Sequence, residues 1–259
     1  MLKNRIIPTL LWKDFGLVKD IGFKSERRVG SVEQSIRIFN SRDVDELVLL
    51  DITATEQNRA PRFNEIMKFS EWTSVPFSIG GGIQNIEHAE KLFENGADKI
   101  VINSRAYIDK TLIPRLSTVF GSQSIVVSVD YRPVNGVNVC FKNNGRVNTE
   151  IKLEEWIKEI AQMGAGEVLI TNCESDGARK GYDIETLKSI SSLTDTPLIA
   201  NGGAGSISDI KEVFLNTVIR AVGVGSLFQF TEITPHQIRE SLMMMNIPMR
   251  STSRIMKKV

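Results

Sequence analysis

A glycine-rich stretch occurs twice in this chain at a fixed distance, and this repeat constrains the fold more than any other feature. Each copy is a short apolar run that ends in glycines, PFSIGGG at 76–82 and PLIANGG at 197–203. Pro197 follows Pro76 by 121 positions, and Glu167 follows Glu46 by the same interval. A constant offset of this kind predicts two half-domains of like architecture, at about 1–122 and 123–250.

Each glycine-rich turn precedes a predicted helix, and such a turn can bind an anion. Glycine lets backbone N–H groups approach a ligand, and the start of a helix favours negative charge. Each turn is expected to lie beside the small residues that follow the next strand of the barrel. The two sets are Gly81, Gly82, Asn103 and Ser104, and Gly202, Gly203, Ala204, Gly225 and Ser226. They would suit a small substrate with a phosphate at each end, although such turns can also be plain strand–helix connections.

Apolar strand candidates alternate with helical patterns along the chain. Strands are predicted at 5–11, 46–51, 75–80, 99–103, 124–130, 167–171, 196–201 and 221–224. Eight alternations predict an α/β fold, one closed (β/α)8 TIM barrel domain over 1–259. Between these strands the sequence predicts a polar loop at 12–30, one helix at 106–119, a small β-ribbon at 131–151 and a basic tail at 250–259.

The composition narrows the function classes. A net charge of +1 without a basic stripe speaks against nucleic acid as a partner. No run approaches the roughly 20 apolar residues of a membrane span, so no membrane association is expected. Cys140 and Cys173 have neither metal-ligand nor disulfide spacing, which predicts plain thiols and a cytoplasmic location. The sequence predicts neither a metal nor a cofactor.

In such a barrel, ligands bind at the C-terminal ends of the strands, and several polar residues fall there. Asp130 ends the fifth strand and can act as a general acid/base if burial raises its pKa, or it can simply cap the strand. Asp51 and Asp176 present the same two alternatives, and Asp176-Gly177 also fits a simple turn. Thr171 ends the sixth strand and is a further binding candidate.

Four charged residues begin strands and should lie at the opposite face, the foot of the barrel. They are Arg5, Glu46, Lys99 and Glu167, two cations and two anions. They can close a ring of salt bridges, or they can be solvated charges that contribute about 0–1 kcal/mol per pair.

These residues and several motifs resemble the cyclase subunit of imidazole glycerol phosphate synthase over essentially the whole chain. The matching stretches are 5–8, 45–47, 50–54, 80–83, 176–177, 181–183 and 201–205. The resemblance implies two phosphate sites and a synthase subunit of lyase or amidotransferase type. It also implies a heterodimer with a glutaminase, whose ammonia crosses the barrel. It assigns the four foot residues to an ammonia gate, Asp98 to the glutaminase interface and Lys19 to the substrate.

One position departs from the family pattern. The family has catalytic aspartates at the ends of strands 1 and 5, and the first of these positions is Leu11 here. Leu10-Leu11 and 16–19 are similar to a divergent branch that acts with a glutaminase and a third amidotransferase-type enzyme in making acetamidino sugars of surface polysaccharides. The leading hypothesis is therefore ammonia delivery to a phosphorylated or nucleotide-sugar acceptor. The alternatives are the cyclase of histidine biosynthesis and a non-catalytic ammonia conduit that activates the glutaminase.

Overall fold

The computed structural model describes residues 3–14, 16–24, 27–42 and 44–250. Strands β1 to β12 span Arg5–Lys13, Gly16–Lys19, Arg27–Gly30, Leu47–Asp51, Phe77–Gly80, Lys99–Ile102, Ile125–Val134, Val137–Lys142, Val147–Lys152, Glu167–Asn172, Leu198–Asn201 and Ala221–Val224. Helices α1 to α10 span Val32–Ser41, Phe63–Ser70, Ile86–Glu94, Ser104–Ile108, Leu112–Phe120, Leu153–Met163, Ile184–Ser191, Ile207–Asn216, Ser226–Phe230 and Pro235–Met244. From residue 251 onward, the expected basic tail lies outside the described residues.

Within those ranges, eight parallel strands close into a barrel. Strand β1 pairs with β4 on one side and with β12 on the other. The remaining parallel pairs follow the order β4, β5, β6, β7, β10, β11 and β12. Because parallel strands need crossover connections, the helices lie between them and cover the outside. The predicted (β/α)8 barrel is thus confirmed, while its division into two half-barrels stays a prediction.

The barrel strands are nearly continuous apolar runs because both of their faces are covered. Ile6, on β1, belongs to the large core between the barrel and its helices, whereas its neighbour Ile7 belongs to a separate core inside the barrel. Leu47 and Val48 on β4 divide in the same way. This alternation determines which side chains can reach the axis of the barrel.

Side-chain caps fix several helix starts. Ser31 accepts a hydrogen bond from Gln34 N at 3.2 Å, as its place before α1 predicts. Ser206 before α8 and Thr234 before α10 form complete capping boxes. In the part of the chain that is described, no helix is long and apolar enough to cross a membrane.

The segment 12–30 is not the polar loop that its composition suggested. Strand β1 runs on to Lys13 and pairs antiparallel with β2, and β2 pairs with β3. Leu17 and Val18 on β2 are buried, with relative exposures of 0% and 6%. The prediction was wrong because two four-residue strands gain their order from pairing with β1, and so short an alternation carries little signal.

The β-ribbon after the fifth barrel strand is confirmed, but the helix predicted at 106–119 is two helices. Strands β8 and β9 extend from β7 as an antiparallel ribbon. Its two turns hold asparagines in the left-handed region, with φ of 50° at Asn135 and 56° at Asn144. Helices α4 and α5 are separate because Asp109 ends the first, and its Oδ1 accepts from both Thr111 N and Thr111 Oγ1, at 3.0 and 2.6 Å.

Candidate active site

A ring of four charged side chains crosses the foot of the barrel. Lys99 Nζ lies 3.0 Å from Glu46 Oε2 and 2.6 Å from Glu167 Oε2. Arg5 Nη1 lies 3.1 Å from Glu46 Oε2, and Arg5 Nη2 pairs with Glu167 Oε1. Ser78 Oγ also donates to Glu46 Oε1, at 2.7 Å. The salt-bridge ring that the sequence offered as one alternative is therefore present, and it spans the floor of the barrel.

Opposite charges within the ring offset the cost of burying Arg5 and Glu167. Burial would raise the pKa of Glu167, but the charges of Arg5 and Lys99 outweigh it and lower that pKa. Burial would likewise lower the pKa of Arg5, and the carboxylates of Glu167 and Glu46 raise it instead. Arg5 and Glu167 are thus both held as ions. Removing one member would leave buried charge uncompensated, which is costly.

An apolar belt lies directly above this ring. Each ring residue stands two positions before a belt residue along the chain, as Arg5 does before Ile7 and Lys99 before Val101. Because side chains alternate along a strand, both residues of such a pair face the axis. The belt consists of Ile7, Val48, Val101, Val126, Leu169, Ile199 and Ala221, with Leu50 packed against it.

A cavity of about 420 Å³ opens above the belt at the C-terminal strand ends. This volume falls in the range of small-molecule sites. Its lining includes most of the candidate residues from the first half of the chain, as well as carboxylates from the second half. The predicted members are Asp51, Gly81, Gly82, Asn103, Ser104, Asp130, Thr171 and Asp176.

Asp130 is the titratable group best suited to proton transfer in this cavity. Burial raises its pKa to about 7, and the nearby charge of Asp176 acts in the same direction. Asn103 Nδ2 donates to Asp130 Oδ2 at 2.8 Å, which favours the ionised form and limits that rise. A carboxyl group that titrates near neutrality can both give and accept a proton. Leu11 lines the same cavity, so this position on β1 offers no carboxylate, whereas Asp20 and Asp176 line the cavity from other segments.

Lys19 lies at the mouth beside the second glycine-rich loop. Its side chain is almost fully buried, and Nζ donates to Thr9 O at 2.9 Å. Burial lowers the pKa of Lys19, while the charge of Asp176 opposes that change. A Cβ added at Gly225 would collide with Lys19 Nζ, so the ammonium group lies directly against this glycine.

The second loop is assembled as expected but is nearly closed. Its pocket has a volume of only about 10 Å³, close to that of a single water molecule. The predicted residues that meet there are Asp176, Gly177, Gly202, Gly203, Ala204, Gly225 and Ser226. A space of this size has no room for a phosphate in the present conformation.

Asp51 is tied into a structural network. Arg59 Nη2 lies 2.6 Å from Asp51 Oδ2 and 2.8 Å from Oδ1. Asp51 Oδ1 also accepts from Thr53 N at 3.1 Å and from Ala54 N at 3.2 Å. This carboxylate organises the loop after β4, which favours the capping alternative over a direct role towards a ligand.

The ribbon tip roofs the first glycine-rich loop. Asn143 N donates to Ser104 Oγ at 2.9 Å, and Asn144 Nδ2 donates to Ile52 O. Arg146 Nη1 pairs with Glu56 Oε1 at 2.6 Å on the opposite rim. The tip therefore connects the loops after the second and fourth barrel strands across the mouth.

At the foot, Asp98 is exposed directly before the ring residue Lys99. Its Oδ2 accepts from Phe77 N at 2.8 Å, which holds the carboxylate at the strand start. The described residues contain no cluster of three or more potential metal ligands. Burial raises the pKa of Cys140 to about 12, so this thiol stays protonated near neutral pH.

A known protein family matches most of the chain. The protein family described as "Histidine biosynthesis protein" matches residues 5–234. The chain belongs to this family. The matched range of the histidine biosynthesis family includes every residue of the foot ring, the cavity and both glycine-rich loops.

Individual relatives match over nearly their whole length. The imidazole glycerol phosphate synthase subunit HisF of Chlorobaculum parvum is 38% identical over 93% of this chain and 96% of its own. The subunit HisF of Chlorobaculum tepidum is 37% identical over 96% of this chain and 100% of its own. A Pseudomonas aeruginosa protein provisionally named as the synthase subunit hisF2 is 42% identical over 89% and 92%. These names support the cyclase subunit family and not the narrower acetamidino-sugar branch.

Sequence reasoning missed three contacts around this site. It did not identify Arg59 as the partner of Asp51, although the two lie only eight positions apart. It also missed Asn143 over Ser104 and the contact of Lys19 with Gly225, both of which join residues distant in sequence. Only the Asp51–Arg59 pair had a signal in the sequence, namely an arginine shortly after a buried aspartate at a strand end.

Proposed function

We propose that this chain is the synthase subunit of a glutamine-dependent enzyme, which receives ammonia at its foot and uses it at its mouth. The observation that carries this proposal is the stack along the barrel axis. A closed ring of ion pairs lies below an apolar belt, and the belt lies below a cavity that contains Asp130. Neutral ammonia is a nucleophile, and a passage sheltered from water keeps it unprotonated.

A glutaminase docked at the foot is the nitrogen source that this arrangement requires. Asp98 is exposed there beside Lys99, and it is our candidate for contact with such a partner. The ring would have to open for ammonia to pass. Lys99 is the simplest moving part, because it is a single flexible side chain that bridges the two carboxylates.

The names of the relatives favour the imidazole glycerol phosphate cyclase reaction as the use of this ammonia. Relatives that are 37–38% identical over nearly their entire length carry that name. Asp130 would then serve as the proton-transfer group, with a pKa near 7 that suits either direction of transfer. The glycine-rich loops would hold the phosphates, the second after movement of Lys19.

One observation favours a different acceptor. Leu11 occupies the cavity wall where a second carboxylate would permit paired acid/base chemistry. A phosphorylated or nucleotide-sugar acceptor, shared with a third enzyme as in acetamidino-sugar synthesis, is therefore our second candidate. If Asp130→Asn leaves glutamine-dependent product formation intact, the barrel is only a conduit.

The first experiment tests the passage. Lys99→Met is compared with Lys91→Met, whose ammonium group pairs with Glu87 on the outer surface. In the complex with the glutaminase, Lys99→Met is expected to lower product formed per glutamine hydrolysed at least about tenfold. Activity with ammonium salt should change little, and the control should behave as wild type. Equal coupling in both variants would refute the proposal.

A second experiment identifies the acceptor. Wild type is incubated with ammonium salt and the imidazole-forming intermediate of histidine biosynthesis, and imidazole product is measured. Robust turnover supports the cyclase, and its absence supports the second candidate. Leu11→Asp then serves as a gain-of-function arm, since it supplies the carboxylate that a paired mechanism needs.

A further inference from the structure

Two arginines at the Ser104 end of the main cavity have no role in the proposed function. Both Arg105 and Arg146 line this cavity. Arg105 follows Ser104 directly in α4, and Arg146 belongs to the ribbon turn whose Asn143 N–H bonds to Ser104 Oγ at 2.9 Å. The two arginines therefore reach the lining of this cavity from two different elements.

Arg105 retains hydrogen-bonding capacity. Its Nε is buried without an acceptor among the described residues. Its Nη2 reaches Asp109 Oδ2 only at 4.0 Å, while the same carboxylate oxygen lies 3.4 Å from Arg115 Nη2. Arg146 pairs with Glu56, but both of these side chains are more than half exposed, so their attraction is screened by water. An anion in the cavity can compete for both guanidinium groups.

The second end of the site lacks this feature. Helices α4 and α9 are both five residues long and both begin with a serine, so Ser226 corresponds to Ser104 and Leu227 to Arg105. Leu227 is fully buried. The two ends therefore differ in size and in the cations beside them, which are two arginines at the Ser104 end and Lys19 at the Ser226 end.

We propose that the Ser104 end binds a diphosphate, one phosphate at Gly82 and Ser104 and the next between Arg105 and Arg146. Arginine suits this task because its planar fork binds phosphate oxygens in a bidentate manner. The inference rests on the proposed function in taking this cavity as the substrate site, and it names the substrate class as a diphosphate ester. Such a substrate agrees with the second acceptor candidate rather than with the first.

The test is calorimetric titration of the full-length chain with pyrophosphate, inorganic phosphate and phosphoglycolate at fixed ionic strength. Pyrophosphate is expected to bind at least about tenfold more tightly than the other two, because added charge-assisted hydrogen bonds give that much. Arg105→Ala should weaken pyrophosphate binding about tenfold and phosphate binding less than about threefold. Arg115→Ala is the matched control, since it removes another arginine that pairs with Asp109. Circular dichroism verifies the fold of each variant.

Three outcomes overturn the inference: wild type without preference for pyrophosphate, equal losses in Arg105→Ala and Arg115→Ala, or tighter binding of phosphoglycolate. The last would assign a phosphate and a carboxylate to this end. Failure of the proposed function is a separate result. If Lys99→Met leaves the coupling to glutamine hydrolysis intact while pyrophosphate binding still depends on Arg105, the proposed function is refuted and the diphosphate site is supported.

Discussion

Replacing Asp130 by asparagine should stabilise the fold, and more so as the pH rises. Burial raises the pKa of this carboxyl group to about 7, from an ordinary value near 3.8. Between these two values the native chain binds a proton that the unfolded chain has released. The free energy of unfolding of wild type therefore falls as the pH rises through that window. Asparagine keeps the shape of the side chain and carries no charge to bury.

The size of the effect follows from the pKa difference. Each pKa unit corresponds to about 1.4 kcal/mol, so the full penalty on the wild-type carboxylate is about 4 kcal/mol above neutral pH. At pH 5 roughly 1.5–2 kcal/mol of it is already present, because the unfolded carboxylate is already ionised. The stability advantage of Asp130→Asn should consequently grow by about 2–3 kcal/mol between pH 5 and pH 8.

Urea unfolding of wild type and Asp130→Asn at pH 5, 6, 7 and 8 measures how the stability advantage of the variant grows. Asp109→Asn is the control, because hydrogen bonds from Thr111 lower the pKa of Asp109, so it stays ionised throughout that range. Its difference from wild type should be the same at every pH tested. A constant difference for Asp130→Asn as well would refute the reasoning, since it would mean that the carboxyl group does not titrate near neutrality.

Two further changes probe the loops around the mouth. Arg59→Ala leaves the Asp51 carboxylate buried without its cation and should lower the free energy of unfolding in urea by about 2–3 kcal/mol. The loss should be smaller when Arg59→Ala is combined with Asp51→Asn. A loss below about 0.5 kcal/mol would contradict the network. Gly225→Ala should displace Lys19 and speed tryptic cleavage within the β2–β3 hairpin, because the new methyl group collides with Nζ. Gly136→Ala is the control, because it strains the ribbon turn at a φ of 80° but brings no Cβ within 4 Å of another residue, and equal cleavage rates would contradict the contact.

The barrel and its charged floor could be predicted because they follow from periodicity along single strands. Lys99 and Val101 share a strand face by alternation alone, and Glu46 and Glu167 occupy corresponding places in a repeat visible in the sequence. Asp130 could be located at the mouth for the same reason. Its pKa could not be predicted, because that depends on how deeply the fold buries Asp130 and on Asn103, which follows another strand.

The remaining features depend on contacts between distant segments. The β2–β3 hairpin exists through pairing with β1, and it places Lys19 against Gly225 beside the second loop. The ribbon tip reaches Ser104 through a backbone N–H, which any residue except proline carries. Neither contact leaves a residue pattern that local propensity or spacing could reveal.

The apolar belt determines which species can travel along the barrel axis. Its seven members are aliphatic side chains without a polar atom to replace lost hydration. An ammonium, sodium or hydronium ion would have to shed its water shell there, at a cost of several kcal/mol or more, whereas a small uncharged molecule would not. Once the ring opens, the belt would therefore admit a small neutral molecule and exclude ions between the foot and the mouth.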